Sequence, residues 1–254
     1  MPALRVLLLG GTTEASILAE RLADDPRFAA TLSLAGVTRM PALPRIPCRI
    51  GGFGGVEGLR AWLRENGIMA LVDATHPFAA QMTRHAALAA AQTGIPFLRI
   101  DRPAWIAQPA DRWISVPDAG AAAAALGATP CRVLLTLGSK GLAPFRDAPW
   151  HHYLIRCIDA PDMAMLPTGA ELLLARGPFA LASELALLTA HRIEILVSKN
   201  SGGAATAPKL EAARILGLPV LMIERPAGSG GATQAADAMP WLVERLHDRT
   251  PRGA

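Results

Sequence analysis

Two segments of the chain about 125 residues apart run in the same order with the same punctuation, and this repetition limits the fold more than any single motif. In the first, Leu71-Val72-Asp73-Ala74-Thr75-His76-Pro77 leads through an alanine-rich stretch to Gly94-Ile95-Pro96-Phe97-Leu98-Arg99-Ile100-Asp101-Arg102-Pro103. In the second, Leu196-Val197-Ser198-Lys199-Asn200-Ser201-Gly202-Gly203 leads to Gly217-Leu218-Pro219-Val220-Leu221-Met222-Ile223-Glu224-Arg225-Pro226. Both close on an acid followed by Arg-Pro. Upstream, Val6-Leu7-Leu8-Leu9-Gly10-Gly11-Thr12 is echoed by Val133-Leu134-Leu135-Thr136-Leu137-Gly138-Ser139, and Gly51-Gly52-Phe53 by Gly177-Pro178-Phe179. The chain therefore reads as an internal duplication.

Within the first half, apolar runs of strand length at residues 6–9, 31–34, 70–73 and 97–100 alternate with helical patterns at 14–23 and 57–65. Such alternation is the mark of parallel sheets covered by helices. The expected fold is α/β, with two Rossmann-like domains built on parallel sheets flanked by helices. The boundary is expected where Gly127-Ala128-Thr129-Pro130 supplies loop chemistry between a helix at 118–127 and a strand at 132–136. That gives a first domain of 1–129 and a second of 130–254, with the ligand expected in a cleft between halves.

The longest apolar stretch, residues 119–128, is far shorter than the roughly 20 residues that cross a bilayer, so no membrane partner is expected. The N-terminal run lacks a small-residue cleavage site and reads as a first strand. Three cysteines, Cys48, Cys131 and Cys157, are odd in number and widely spaced, which argues against both a disulfide framework and a zinc motif and favours the cytoplasm. His85, His191 and the His151-His152 pair have no ligand spacing, and no metal is expected. A net charge of +4 favours anionic partners. The basic residues are scattered and Tyr153 is the only tyrosine, so an acidic small molecule suits the chain better than nucleic acid, and no obligate protein partner is inferred.

Gly10-Gly11-Thr12-Thr13-Glu14 forms a glycine turn opening directly into a helix, which aims backbone N–H groups and the positive helix end at phosphate. It departs from the dinucleotide fingerprint, with Thr12 at the second glycine and Ala15 at the third. After the second strand, where an NAD enzyme commonly places an acid, stand Thr38 and Arg39. A guanidinium beside a hydroxyl suits a 2′-phosphate and favours NADPH over NADH; the alternative is an ordinary surface Arg. In Gly51-Gly52-Phe53-Gly54-Gly55, four of five positions lack side chains, as a cofactor contact requires; a flexible connection is the alternative. Thr75 and His76 follow a buried strand at the carboxyl end where open α/β sheets bind ligands. His76 is the candidate proton donor, with a helix cap before Pro77 or a wall of the nicotinamide pocket as its other readings.

In the second half, Lys140 in Gly138-Ser139-Lys140-Gly141 and Lys199-Asn200-Ser201-Gly202-Gly203 both follow expected strands, and Thr206 and Lys209 open the next helix. Two strand-end lysines with a glycine-rich helix entrance point to carboxylate or phosphate binding, against solvated surface cations.

The ordered set Leu9-Gly10-Gly11-Thr12-Thr13-Glu14-Ala15, Ser33-Leu34-Ala35-Gly36-Val37-Thr38, Gly51-Gly52-Phe53-Gly54-Gly55, Asp73-Ala74-Thr75-His76-Pro77-Phe78-Ala79 and Lys199-Asn200-Ser201-Gly202-Gly203 resembles the precorrin-6A reductases over nearly the whole chain. The resemblance implies a two-domain oxidoreductase that reduces a ring double bond of precorrin-6A to give precorrin-6B in cobalamin biosynthesis, with NADPH as hydride donor. It also covers the cobalt-containing substrate. The first half would hold NADPH and the second the carboxylate-edged tetrapyrrole. Rival readings are an NADPH-dependent reductase of another acidic metabolite, a nucleotide-binding regulatory module, and S-adenosylmethionine-dependent methyl transfer, for which Thr38 and Arg39 would be poorly placed.

Overall fold

The computed structural model describes residues 2–36, 44–226 and 235–248. These divide into two compact units: residues up to Pro103 together with those from Pro226 onward, and Ala104–Arg225.

The first unit is built on β1 (Leu4–Leu9), whose apolar residues point alternately to two cores. Leu4, Val6 and Leu8 pack with Ala15, Leu18 and Leu22 of α1 (Thr13–Ala23), whereas Leu7 and Leu9 pack with Leu59 and Leu63 of α2 (Gly55–Glu65) and Ala86 and Ala89 of α3 (Ala80–Thr93). A strand apolar on both faces has to sit mid-sheet under helices on either side. The sheet runs β3-β2-β1-β4-β5, all parallel, with β2 at Phe28–Leu34, β3 at Cys48–Ile50, β4 at Ala70–Asp73 and β5 at Phe97–Arg99. This is the Rossmann order. The C-terminal helix α7 spans Ala235–His247, and its Ala238 and Leu242 are fully buried in the core shared with α1.

The second unit repeats the order. Its sheet, with β6 (Arg112–Val116) at one edge, runs β6-β11-β10-β7-β8-β9, again parallel, so that β7 (Arg132–Thr136), β8 (His152–Cys157), β9 (Glu171–Leu174), β10 (Ile195–Lys199) and β11 (Pro219–Ile223) take the places of β1 to β5. Helices α5 (Leu181–Ala190) and α6 (Pro208–Ile215) correspond to α2 and α3. The repeat breaks where α1 would stand. After β7 the chain makes only two 3₁₀ turns, Ser139–Gly141 and Ala143–Asp147.

The division expected at 129/130 is not the one found. Strand β6 (Arg112–Val116) pairs along its length with β11, and α4 (Ala119–Ala125) follows it, so both belong to the second unit; α7 belongs to the first. The physical reason is that β6 is an edge strand, largely exposed and without a continuous apolar run, which leaves its pairing invisible locally. Both passages between units fall at the repeated Arg-Pro pairs, Arg102-Pro103 and Arg225-Pro226.

Candidate functional site

The site in the first unit grows from the carboxyl ends of β1, β2 and β4. A Cβ on Gly10 would lie 2.5 Å from Leu32 Cδ1 and 3.3 Å from Ala15 Cβ, so a side chain where α1 springs from the strand would have to displace the Leu32 methyl. Gly11 turns at φ +114°. Thr12 then caps α1: its Oγ accepts from Ala15 N–H (3.2 Å) and donates to the Ala74 carbonyl (2.7 Å). The Ser16 amide is satisfied by the Thr12 carbonyl, which leaves the Thr13 and Glu14 amides at the helix start without an acceptor among the described residues. Glu14 pairs with Arg102 at 3.5 Å. A short anion seat of orphan amides and a helix end is the result. Thr38 and Arg39 lie outside the described residues.

Gly51, Gly54 and Gly55 all have positive φ, and a Cβ on any of them, or on Gly52, would meet nothing within 4 Å. Backbone dihedrals therefore account for three of the four, whereas Gly52 is required by neither dihedral nor packing. Gly58, which sequence reasoning passed over, is needed because a Cβ there would overlap the Phe53 carbonyl. Phe53 itself packs edge-on to Trp62.

Beneath the loop after β4 lies a buried charged group. Arg99 Nη1 reaches Asp73 Oδ1 (2.7 Å) and Thr75 Oγ (2.9 Å), and the same Asp73 oxygen accepts the Thr75 amide (2.9 Å). Asp73 Oδ2 and Arg99 Nε and Nη2 have no hydrogen-bond partner among the described residues. Asp73 and Arg99 face each other across β4 and β5, a pairing between strands that sequence spacing does not reveal. It fixes Thr75 and thereby the start of the loop that carries His76. Neither Thr75 nor His76 caps α3, contrary to one expectation: the helix starts at Ala80 with Ala79 as its cap residue, because Pro77-Phe78 form a separate turn closed by Ala79 N–H on the His76 carbonyl (2.7 Å). His76 Nδ1 accepts from the Phe78 amide (3.2 Å), which leaves Nε2 as the nitrogen that carries the proton of the neutral ring.

In the second unit Lys140 is exposed, while half-buried Lys199 donates to the Leu137 carbonyl (2.7 Å). Burial, and then the charge of Lys140, lower the Lys199 pKa. Asn200 is turned inward: its side chain accepts the Trp105 amide (2.8 Å) and donates to the Trp105 carbonyl (3.1 Å). Ser201 is buried with its amide on the Lys199 carbonyl, Gly202 has φ +72°, and Thr206 Oγ donates weakly to Gly203 O at 3.4 Å. Lys209, expected to offer a cation at the helix entrance, is only 4 % exposed, with Nζ 5.1 Å from the Trp105 ring centroid. Burial, reinforced by Arg156 and opposed by Glu184, pushes its pKa down to about 7. Arg156 and Glu184 form a buried pair at 2.5 Å that sequence reasoning also missed, with Arg156 4.1 Å over Phe179. Lys140 and Lys199 thus meet at one strand edge, whereas Asn200 and Lys209 are absorbed into packing around Trp105. No group of three or more His, Cys, Asp or Glu could hold a metal among the described residues.

A parallel sheet in Rossmann order, with a glycine turn feeding an open helix start, beside a second unit of the same order without the equivalent helix, defines a protein of two Rossmann-like units. The family model "Precorrin-6x reductase CbiJ/CobK" matches residues 5–243, and the chain belongs to that family. It is 48 % identical over 251 residues to a precorrin-6A reductase of Rhodobacter capsulatus, covering 98 % of this chain and 99 % of the relative. It is 53 % identical over 222 residues to one of Rhodococcus erythropolis, covering 87 % and 89 %. A solved structure titled "CobK precorrin-6A reductase" superposes with a TM-score of 0.90 at 46 % identity over the full length of both chains.

Proposed function

We propose that this chain reduces precorrin-6A to precorrin-6B in cobalamin biosynthesis, with NADPH held by the first unit and the tetrapyrrole by the second. Family membership carries the reaction. The division of labour rests on one observation: the first unit has a capped helix with orphan amides after its first strand, and the second has 3₁₀ turns there, which carry Lys140 beside the strand that ends in Lys199. Phosphate favours the former, and the propionate and acetate edges of a macrocycle favour the latter.

The residues of the first unit fit a dinucleotide. The Thr13 and Glu14 amides would neutralise its pyrophosphate, and the open space over Gly51, Gly52 and Gly54 leaves room for close backbone approach. Thr38 and Arg39 would take the 2′-phosphate. When bound, the nicotinamide supplies a hydride. Thr12, whose hydroxyl is committed twice within the protein, holds the turn rather than donating to the ligand. Thr75, pinned by Arg99 and Asp73, sets the path of the loop on which His76 holds a proton at Nε2. Reduction of a ring double bond takes up one proton with the hydride, and His76 would supply it from the imidazolium form, with Nδ1 released from the Phe78 amide. Lys140 and Lys199 would orient the macrocycle through its carboxylates, and positioning of this kind supplies much of the rate.

The three cysteines are free thiols, in keeping with a reducing cytoplasm. Among the described residues no helix is long and apolar enough to cross a membrane. Anaerobic incubation with precorrin-6A and NADPH tests the reading: the product should gain two hydrogens by mass, with a changed visible spectrum and matching NADPH oxidation. An unaltered tetrapyrrole would end it.

A further inference from the structure

Arg49 belongs to none of the motifs above, yet it ties the two sides of the cofactor half together. It sits on β3 opposite Ser33 of β2. The Ser33 carbonyl accepts the Gly10 amide (2.9 Å), and the Ser33 hydroxyl accepts from Arg49 Nη1 (2.7 Å). Arg49 is therefore one residue removed from the glycine turn. Nη1 also donates to the Gly51 carbonyl and Nη2 to the Gly52 carbonyl, both at 2.9 Å, and the guanidinium lies 3.8 Å from the Phe53 ring centroid.

Every one of these partners is neutral. No ion pair links Arg49 to a carboxylate among the described residues, and burial lowers its pKa with only the Cys48 thiol opposing. A guanidinium has five N–H donors, and three are used here. A partly buried cation without a counter-ion, with donors to spare, attracts an anion. Its position beside the carboxyl end of β2 is where Rossmann halves of this strand order read the ribose 2′ group.

We propose that Arg49 is a specificity-determining residue for the cofactor, pairing with the 2′-phosphate of NADPH while it clamps the Gly51-Gly52 backbone on which the dinucleotide lies. This rests on the first unit being the NADPH site. Arg49 would meet the phosphate from a fixed position, since its fork is already held on one side by Ser33 and Gly51. A clamp alone would affect all dinucleotides equally; a phosphate contact would not.

The test is calorimetric titration of the full chain with 2′,5′-ADP and 5′-AMP, alongside NADPH and NADH, for the wild type, Arg49→Gln and Arg49→Lys. The Gln variant keeps an amide for the Ser33 and Gly51 oxygens but removes the charge. It should weaken 2′,5′-ADP and NADPH by roughly tenfold or more, while 5′-AMP and NADH change less than about threefold. The Lys variant should keep most of the preference for the 2′-phosphorylated ligands. Equal losses for both ligand pairs would reduce Arg49 to a clamp and overturn the proposal while leaving the site assignment intact. A wild-type chain that binds neither 2′,5′-ADP nor NADPH would overturn both. Should Arg49→Gln fail to melt cooperatively, the Lys variant decides: a loss confined to the 2′-phosphorylated pair supports the assignment, and an equal loss for both pairs counts against it.

Discussion

Gly52 is the glycine of its loop that neither dihedral nor packing among the described residues requires, and under the proposed function its missing side chain would leave room for the cofactor. Gly52→Val should leave the melting temperature within a degree or two and weaken NADPH at least tenfold, read by titration against the wild type. Unchanged binding would return the loop to a plain connection. At Lys209 the balance is electrostatic. Its pKa falls from 10.5 in the unfolded chain to about 7 in the fold, so the unfolded state binds more protons anywhere between these values. Stability attributable to this residue therefore rises with pH across that window, by up to about 1.4 kcal/mol per pH unit, and is lost as pH falls toward 7. Lys209→Met should be more stable than the wild type at pH 7 and show a flatter profile to pH 10 in urea denaturation. A wild-type profile unaffected by the substitution would disprove the burial argument.

At the scale of elements, the junction of β1 with α1 depends on one hydroxyl that both caps the helix and reaches the Ala74 carbonyl. Thr12→Val keeps the shape and loses both bonds. It should cost about 1–2 kcal/mol in denaturation and weaken NADPH, with Thr12→Ser restoring both. This junction was legible in the sequence because strand, glycine turn and helix are contiguous; α1 is expected at 14–23 and found at Thr13–Ala23, and β4 at 70–73 is found as expected. What stayed hidden was what strand register creates. Arg49 meets Ser33, and Asp73 meets Arg99, only once β2 lies beside β3 and β4 beside β5. Three-residue β3 has too few positions to show a period, and α3 starts later than its proline suggested because the Pro77-Phe78 turn intervenes.

For the molecule as a whole, the duplication is legible in sequence, and its divergence is where the proposed specialisation of the two units would lie. Substituting Lys199 or Lys140 by Ala should weaken a stable tetrapyrrole analogue by roughly tenfold and leave NADPH affinity unaltered, by paired titration. Lys140→Ala should also relieve the repulsion that lowers the Lys199 pKa. Loss of NADPH binding instead would reverse the assignment of the halves. The domain boundary was misread because a chain that leaves a unit and returns does not divide at a single point, even though the Arg-Pro pairs mark both passages. That return has a consequence for the newborn polypeptide. The second unit is one continuous stretch, complete once Arg225 has left the ribosome, whereas the first still lacks Ala238 and Leu242, which fill its core against α1. Synthesis order and folding order are thus inverted: the half begun first must wait, with an apolar groove uncovered, for α7 to be translated.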